Sequence, residues 1–257
     1  MKKLIIALTA VAAFSAPAFA ADMSAKAPMR AAAVAYAPSW TGCYINGGGG
    51  YGMYNQESTQ YDATVLPRVL RADQQTLGGR GYFGTVGAGC DYQFGGNFVV
   101  GAFGDYDFSD IKGQFGQIFG NRTGRETLSS TWAVGGRAGW LVTPGLLTYF
   151  SAGYTESTFD RLNLNNIGVI ADQYIPGTTY KGWFLGSGFE HSLSFMPGLY
   201  WKTEYRFSDF DARTLASRSI ATNVLTGDQY DVHKYTHTVR SSLVYRFNWG
   251  GPVVAKY

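Results

Sequence analysis

Apolar and polar residues alternate with a period of two in several stretches of this chain, most clearly from Leu199 to Phe207. Such a period predicts a β-strand, because successive side chains of a strand point to opposite faces of a sheet. One face of this stretch would carry Leu199, Trp201, Thr203, Tyr205 and Phe207, and the other face Tyr200, Lys202, Glu204 and Arg206. Large rings on one face and full charges on the other indicate a strand between two very different surroundings.

Eight segments of this kind are predicted, and the links between them alternate in length. The segments are Trp40–Met53, Arg80–Phe94, Phe98–Ser109, Leu128–Val142, Leu146–Phe159, Tyr180–Phe195, Leu199–Phe210 and His233–Phe247. Three links are tight Gly-, Pro- and Asn-containing turns, at 95–97, 143–145 and 196–198. The other four, at 54–79, 110–127, 160–179 and 211–232, are long and polar. This rhythm predicts an all-β fold, an eight-stranded antiparallel transmembrane β-barrel with short periplasmic turns and four long extracellular loops.

The face that points outward is decided by the size of its side chains. Seventeen aromatic residues share the candidate outer phase: Tyr82, Tyr92, Phe94, Phe98, Tyr106, Phe108, Trp132, Trp140, Trp183, Phe189, Phe195, Trp201, Tyr205, Phe207, Tyr235, Tyr245 and Phe247. An eight-stranded barrel is only just wide enough inside for its own side chains, so this many rings would not fit there. We therefore expect the rings to face lipid and the opposite phase to line the lumen.

The inward phase carries the charges that we call the lumen charge cluster. Its members are Asp91, Asp105, Arg137, Glu190, Lys202, Glu204, Arg206 and Arg240, and Asp107 has the same phase. A cation facing lipid near the midplane would cost roughly 2–4 kcal/mol, whereas acids and bases inside the lumen can pair. Symmetry about the turn at 196–198 places Glu190 and Glu204 at similar height, with Arg240 near Glu204. Arg80 and Lys181 fall in the outward phase at the long-loop ends, where water or headgroups solvate them.

The N-terminus has the pattern of an export signal. Lys2 and Lys3 precede an apolar run and an Ala18–Ala20 cleavage site, so residues 1–20 are expected to be removed. Residues 21–39 are Ala- and Pro-rich and are expected to form a periplasmic leader, followed by the barrel at 40–248 and a tail at 249–257. No later segment offers about 20 consecutive apolar residues, so no membrane helix is predicted. The formal net charge of +3 includes the two signal lysines and gives no argument for nucleic acid binding.

The two cysteines, Cys43 and Cys90, fall on the first two predicted strands at similar distances from the periplasmic end. Export permits a disulfide, but a disulfide also requires specific geometry. Two small, unbonded, lipid-facing residues are the preferred interpretation, and a bond between them stays open.

Other motifs suggest chemistry that their context does not favour. Gly47–Gly52 matches a dinucleotide-binding glycine pattern, but no helix-forming sequence follows it. His191, Ser192 and Glu204 invite comparison with lipid A deacylases, yet His191 lies in the outward phase and the other two in the inward phase. His233 and His237 share a face but stand about 13 Å apart on a strand, too far for a metal pair. No catalytic residue, cofactor or metal site is predicted.

Both ends of the barrel segment resemble the small alphaproteobacterial outer-membrane β-barrel proteins, the porin-family or RopB-type group that includes Brucella and rhizobial outer-membrane antigens. The resemblance lies in the Ala- and Pro-rich leader, in Ser39–Gly48 (SWTGCYINGG) and in Tyr245–Tyr257 (YRFNWGGPVVAKY). Cys43 stands where the family commonly has an aromatic residue. The resemblance implies location in the outer membrane and a structural role in the envelope.

The same resemblance implies assembly by the barrel-insertion machinery, which reads an aromatic-ended last strand. Val239, Leu243, Tyr245 and Phe247 would form that signal, with the terminal Tyr257 as a competing candidate. The leading hypothesis is a monomeric, non-enzymatic barrel that contacts outer-membrane lipid and displays four loops at the cell surface. Two alternatives remain open: a porin for small solutes, and a loop-based receptor for a small ligand such as haem.

Overall fold

Antiparallel strands account for most of the residues that the computed structural model describes, which are 39–116, 122–166 and 170–247. Within these ranges the strands are β1 (Gly42–Asp62), β2 (Val69–Phe94), β3 (Phe98–Gly116), β4 (Arg122–Thr143), β5 (Leu146–Phe159), β6 (Leu162–Asn166), β7 (Ala171–Ile175), β8 (Thr178–Ser192), β9 (Leu199–Ser219) and β10 (Leu225–Phe247). The predicted signal, leader residues 21–38 and tail 249–257 lie outside the described residues.

Eight of these strands close into a ring. Neighbours pair in the order β1-β2-β3-β4-β5-β8-β9-β10, and β10 pairs again with β1. The closing pair has an unbroken register that runs from Cys43 opposite Phe247 to Asp62 opposite Asp228. The predicted all-β, eight-stranded antiparallel barrel is therefore confirmed. Among the described residues, no helix is long and apolar enough to cross a membrane.

The hairpin β6–β7 continues the ring where β5 and β8 stop. Only residues 160–161 separate β5 from β6, and only residues 176–177 separate β7 from β8. At the far end β6 pairs with β4, and β7 pairs with β9. The barrel wall thus has eight strands at this level as well. An ion pair reinforces the β4 edge of this extension, since Arg122 donates to both carboxylate oxygens of Asp172 at 2.7 and 3.1 Å.

The prediction of four long loops at 54–79, 110–127, 160–179 and 211–232 is wrong for most of the residues described there. β1 runs through Asp62 and β2 begins at Val69, which leaves only 63–68 as a loop, and 220–224 is the corresponding tip between β9 and β10. On β1 this segment is polar on both faces: Gln56, Ser58 and Gln60 point into the barrel, and Asn55, Glu57 and Thr59 point outward. Polarity alone therefore did not separate strand from loop.

The outside of the barrel has an apolar band at one end. Fifteen of the rings predicted to face outward are exposed, and Phe207 and Tyr235 are partly exposed. Beyond this band the outer face becomes polar, with Asn55, Glu57 and Thr59 on β1. Strands of 21 and 26 residues are about twice as long as the 9–11 that span a bilayer, so roughly half of the wall projects beyond the band.

The inside of the barrel is filled by side chains in three apolar layers. The layer at the short-turn end contains Trp40, Tyr44, Val99, Leu141, Leu147, Tyr149, Tyr200 and Val244. The middle layer contains Tyr54, Phe83, Ile111, Leu128, Phe159, Tyr180 and Phe210, and the distal layer contains Phe115, Leu162, Leu164, Ile175, Leu215, Tyr230 and Val232. The lumen thus also holds many rings, so ring size was a weaker discriminator than the sequence argument assumed. The positions of the charged residues distinguish the inner face from the outer face better.

Candidate functional site

Four charged side chains form a closed quartet inside the barrel near the short-turn end. Arg246 comes from β10, Asp91 from β2, Arg137 from β4 and Glu190 from β8, so every second strand of the ring contributes one member. Cations and anions alternate around the quartet, and all four side chains are at most 2% exposed.

Each arginine of the quartet contacts both acids. Arg137 donates from Nε to Asp91 Oδ1 at 2.9 Å and from Nη1 to Glu190 Oε2 at 3.0 Å. Arg246 donates from Nη1 to Asp91 Oδ2 at 2.7 Å and from Nη2 to Glu190 Oε1 at 2.6 Å. Such charge-assisted, multidentate bonds have a defined geometry, so the quartet holds four strands at fixed positions around the lumen.

Aromatic rings surround the two guanidinium groups. Arg137 lies 4.7 Å from the centroid of the Tyr44 ring and 5.0 Å from that of Tyr149. Arg246 lies 4.8 Å from the Trp40 ring centroid. Planar guanidinium groups interact favourably with aromatic faces, so the rings fill the space around the charges and stabilise them.

A second group of charges lies deeper in the barrel and crosses it from side to side. Arg206 on β9 donates to both oxygens of Asp105 on β3 at 2.9 and 2.7 Å, and these strands are diametrically opposite in the ring. Arg240 bonds Asp105 at 3.1 Å and Asp107 at 3.0 Å. Glu204 accepts a bond from Arg206 at 2.8 Å. The wall is therefore tied across its full width.

The register corrects two details of the sequence interpretation. Glu190 lies opposite Lys202 in the β8–β9 pair, whereas Glu204 lies opposite Gly188, so the two glutamates are not level. Arg240 is the register partner of Glu204, as expected from proximity, but its ion pairs are with the aspartates of β3. Hairpin symmetry fails because the β8–β9 connection is longer than a three-residue turn.

A third pair lies near the level where the outer face turns polar. Lys234 Nζ donates to both oxygens of Glu126 at 2.8 Å and also bonds Gln56. The Phe159 ring centroid lies 4.1 Å from the ammonium nitrogen. Strands β10 and β4 are again diametrically opposite, so this pair also crosses the lumen.

The buried charges balance. Among the described residues the buried cations are Arg137, Lys202, Arg206, Lys234, Arg240 and Arg246, and the buried anions are Asp91, Asp105, Asp107, Glu126, Glu190 and Glu204. Six of each sign leave no net charge inside. A cavity of about 10 Å³ beside Asp107 and Arg240 is about large enough for one water.

Sequence reasoning placed its eight cluster residues in the lumen phase and missed three others. Arg246 and Lys234 have the same parity as Arg240 on β10, a signal that was present in the sequence. Glu126 is different, because a β-bulge between Leu128 and Ser130 reverses which parity of β4 faces inward. Alternation from Arg137 therefore assigns Glu126 to the wrong face.

The two cysteines are joined. Cys43 and Cys90 are direct partners in the β1–β2 register and form a disulfide, which corrects the preferred interpretation as unbonded residues. Both lie on the outward face near the short-turn end. Their positions in the sequence suggested that the two cysteines lie at similar distances from the periplasmic end, and the β1–β2 register places them directly opposite each other.

The motifs that suggested catalysis or metal binding are separated or paired otherwise. Gly47–Gly52 lies within β1, with no helix after it. His191 is exposed on the outside, while Glu204 is buried in the lumen, where Tyr149 donates to it at 2.9 Å. His233 contacts Asp209 at 2.7 Å and His237 contacts Tyr205 at 2.7 Å. No group of three or more His, Cys, Asp or Glu that could hold a metal occurs within the described ranges.

Comparison with known proteins agrees with this geometry. The 31 kDa outer-membrane immunogenic proteins of Brucella melitensis biotype 1 and Brucella suis biovar 1 are each 28% identical to this chain over 253 residues, covering 96% of it and 100% of the relative. The outer membrane protein OprG from Pseudomonas aeruginosa has a similar structure, with a TM-score of 0.51 at 12% identity over 82% of this chain and 100% of its own. The chain is an outer-membrane β-barrel. No protein-family model matches it.

The location fixes how the barrel's surfaces are to be understood. In outer-membrane barrels a band of exposed apolar and aromatic side chains faces the lipid, and short turns lie on the periplasmic side. In this chain the long polar wall, including the Arg122–Asp172 pair, lies beyond the ring band at the end opposite the short turns. The 28% identity over 253 residues confirms the resemblance to the Brucella outer-membrane antigens.

Proposed function

We propose that this outer-membrane barrel is a closed, non-enzymatic element of the envelope that presents its projecting wall at the cell surface. The observation that carries the proposal is the set of ion pairs that cross the lumen at three levels, from the quartet through Arg206–Asp105 to Lys234–Glu126. Eight strands leave an interior that side chains can fill, and here they fill it. A plug of this kind stabilises the wall without a path for solutes.

The balance of buried charge supports a structural role for these residues. Selectivity rings made of charged side chains carry one sign, whereas this lumen has equal numbers of each sign. The buried arginines are also each held by two acids, as Arg137 is by Asp91 and Glu190, so these guanidinium charges are not available to a passing solute.

Planar-bilayer conductance tests the closed state. The purified barrel, refolded in detergent and inserted at increasing protein concentration, is expected to give no reproducible single-channel steps. A trimeric porin in the same bilayers shows that the system detects conductance, and the heat-modified gel mobility of the sample shows that the protein is folded. Reproducible steps of constant size would contradict the proposal and favour the porin alternative.

Display at the surface is supported by the wall itself and by the relatives, whose name describes them as immunogenic. Leu66, at the β1–β2 tip, is 93% exposed, and Asn97 is exposed in a periplasmic turn. Because Cys43 and Cys90 are bonded to each other, an added cysteine is the one thiol available for labelling. A membrane-impermeant maleimide on intact cells should label Leu66→Cys and spare Asn97→Cys.

Permeabilised cells provide the control for that experiment, since both variants should then be labelled. Labelling of Asn97→Cys in intact cells with protection of Leu66→Cys would mean the opposite orientation. A monomeric state, contact with outer-membrane lipid and assembly by the barrel-insertion machinery are part of the same proposal. Haem binding that is lost when the tips are shortened would instead favour the receptor alternative.

A further inference from the structure

Three cations lie together on the outer face of the barrel, just beyond the ring band. We call Arg80 on β2, Lys112 on β3 and Arg125 on β4 the cationic patch. Arg80 is the register partner of Lys112. Arg125 lies opposite Gln114, one diagonal step from Lys112, and diagonal neighbours are about 7–8 Å apart. The three side chains thus face the same solution or lipid volume.

The charge of the patch is only partly compensated. Lys112 Nζ bonds Asp110 at 2.8 Å. Among the described residues, neither Arg80 nor Arg125 has an ion-pair partner within 4.0 Å, and both are exposed. Three cations and one acid leave two positive charges on this part of the surface.

A polar hollow adjoins the patch. Its volume is about 400 Å³, and its lining includes Lys112, Gln114, Thr123, Arg125 and Asn165. Two cations, two amides and a hydroxyl provide many hydrogen-bond donors at one place. Donors and positive charge together suit a phosphate group carried on a polar sugar or glycerol unit.

The opposite side of the barrel carries both signs of charge at a similar level. Asp209 and Asp211 on β9 lie on the outer face there together with Lys181 on β8 and Arg213 on β9, and β9 is diametrically opposite β3 in the ring. A rim that only needed solvation would have both signs interspersed. The patch instead has three cations and one acid, Asp110, which favours an anionic ligand on the β2–β4 side.

The position of the patch selects the source of that anion. Tyr82, which is 75% exposed, lies two residues from Arg80, and Phe108, 61% exposed, lies four residues from Lys112. Aromatic girdles mark the boundary between hydrocarbon and headgroups. We propose that the cationic patch binds the phosphate of an anionic lipid headgroup in the outer leaflet.

Binding isotherms for bisphosphorylated lipid A in mixed detergent micelles, recorded by native mass spectrometry, test this site. The test variant is R80Q/R125Q, which removes the two unpaired cations. The matched control is K181Q/R213Q, which removes two exposed cations on β8 and β9, on the other side of the barrel from the patch. Gel mobility before and after heating verifies that each variant is folded.

The proposal expects R80Q/R125Q to lose about tenfold or more in affinity, while K181Q/R213Q stays within about twofold of the wild type. Lipid A with its phosphates removed should bind the wild type as weakly as lipid A binds R80Q/R125Q. Equal affinities for the two variants, or undiminished binding of the dephosphorylated lipid, would refute the site. Competition by millimolar inorganic phosphate would refute the lipid as its source.

Discussion

Lys234 donates to both carboxylate oxygens of Glu126 at 2.8 Å from the diametrically opposite side of the barrel. Both side chains are buried, so each is stable as an ion only because of the other. Lys234→Met should therefore reduce the free energy of unfolding by about 3–5 kcal/mol, because Glu126 keeps its charge without a partner. Urea unfolding in detergent micelles, followed by tryptophan fluorescence, measures the change.

The double variant K234M/E126Q is the informative companion of that experiment. It removes both charges and keeps the approximate volume of both side chains, so it should recover most of the lost stability. If the double variant were as unstable as Lys234→Met, packing around the Phe159 ring would be the main contribution of Lys234, and the ion pair would be incidental.

The quartet allows a test of coupling around the ring. Arg137 and Asp91 are joined by two hydrogen bonds, and Arg137 has no contact with Asp107 at the level above. A double-mutant cycle of Arg137→Gln with Asp91→Asn should give a coupling energy of about 1–3 kcal/mol in urea unfolding. The same cycle with Asp107→Asn should give a value within about 0.5 kcal/mol of zero. Equal coupling in both cycles would mean that the charges act through a common field and not through the quartet's bonds.

The strand rhythm and the lumen phase were accessible from sequence because both depend on local patterns. β9 shows this best: Leu199 to Phe207 alternates without interruption, and the structure places Lys202, Glu204 and Arg206 inside. The partners of those charges were not accessible in the same way. Arg206 bonds Asp105 across the ring, and that distance depends on strand order, register and shear, which no single stretch of sequence contains.

Three further misses have separate physical causes. The bulge at Leu128–Ser130 reverses the inward parity of β4 and hides Glu126 from any argument based on alternation. Beyond Tyr54, β1 is mostly polar inside and outside, so its composition there is that of a loop although the backbone pairs as a strand. The disulfide required knowing that Cys43 and Cys90 are in register, which sequence fixes only to within a few residues.

The Cys43–Cys90 bond should contribute to stability without being needed for assembly. It closes a segment of 47 residues, for which the chain-entropy relation gives at most about 4 kcal/mol, and the β1–β2 register already restricts that segment. The C43S/C90S variant should thus still show a folded, heat-modifiable band, with a lower midpoint of urea unfolding. Reductant should change the mobility of the boiled wild type but not that of the boiled variant. Failure of C43S/C90S to assemble would show that the bond forms before the barrel closes.

The Arg122–Asp172 ion pair, which links β4 to β7, should be insensitive to mild acid. Hydrogen bonds from the Arg122 guanidinium lower the pKa of Asp172 below its ordinary value of 3.8. A carboxylate with a lowered folded-state pKa contributes its stability above the unfolded value and loses it as pH falls through the folded value. Amide hydrogen exchange in 171–175, corrected for intrinsic rates, should therefore be constant between about pH 8 and pH 5.

Asp172→Asn separates the ion pair from the backbone bonds of the same strand. The variant should exchange faster in 171–175 at every pH in that window, while exchange in residues 199–210 of β9 stays unchanged. Faster exchange of the wild type already between pH 7 and pH 5 would indicate that a different group, with a higher pKa, controls the hairpin.

The assembly signal is expected to end at Phe247 and not at Tyr257. β10 ends at Phe247, which pairs with Cys43 at the closing seam, and Val239, Leu243 and Tyr245 lie exposed on the same face. The tail lies outside the described residues. A chain lacking 249–257 should therefore reach the outer membrane and give the heat-modifiable band at wild-type level, whereas Phe247→Ser in the full-length chain should reduce that band several-fold. Tyr257→Ser serves as the matched single-ring control and should have no effect. The reverse result, with loss of assembly in the truncated chain and in Tyr257→Ser but not in Phe247→Ser, would assign the signal to the chain terminus.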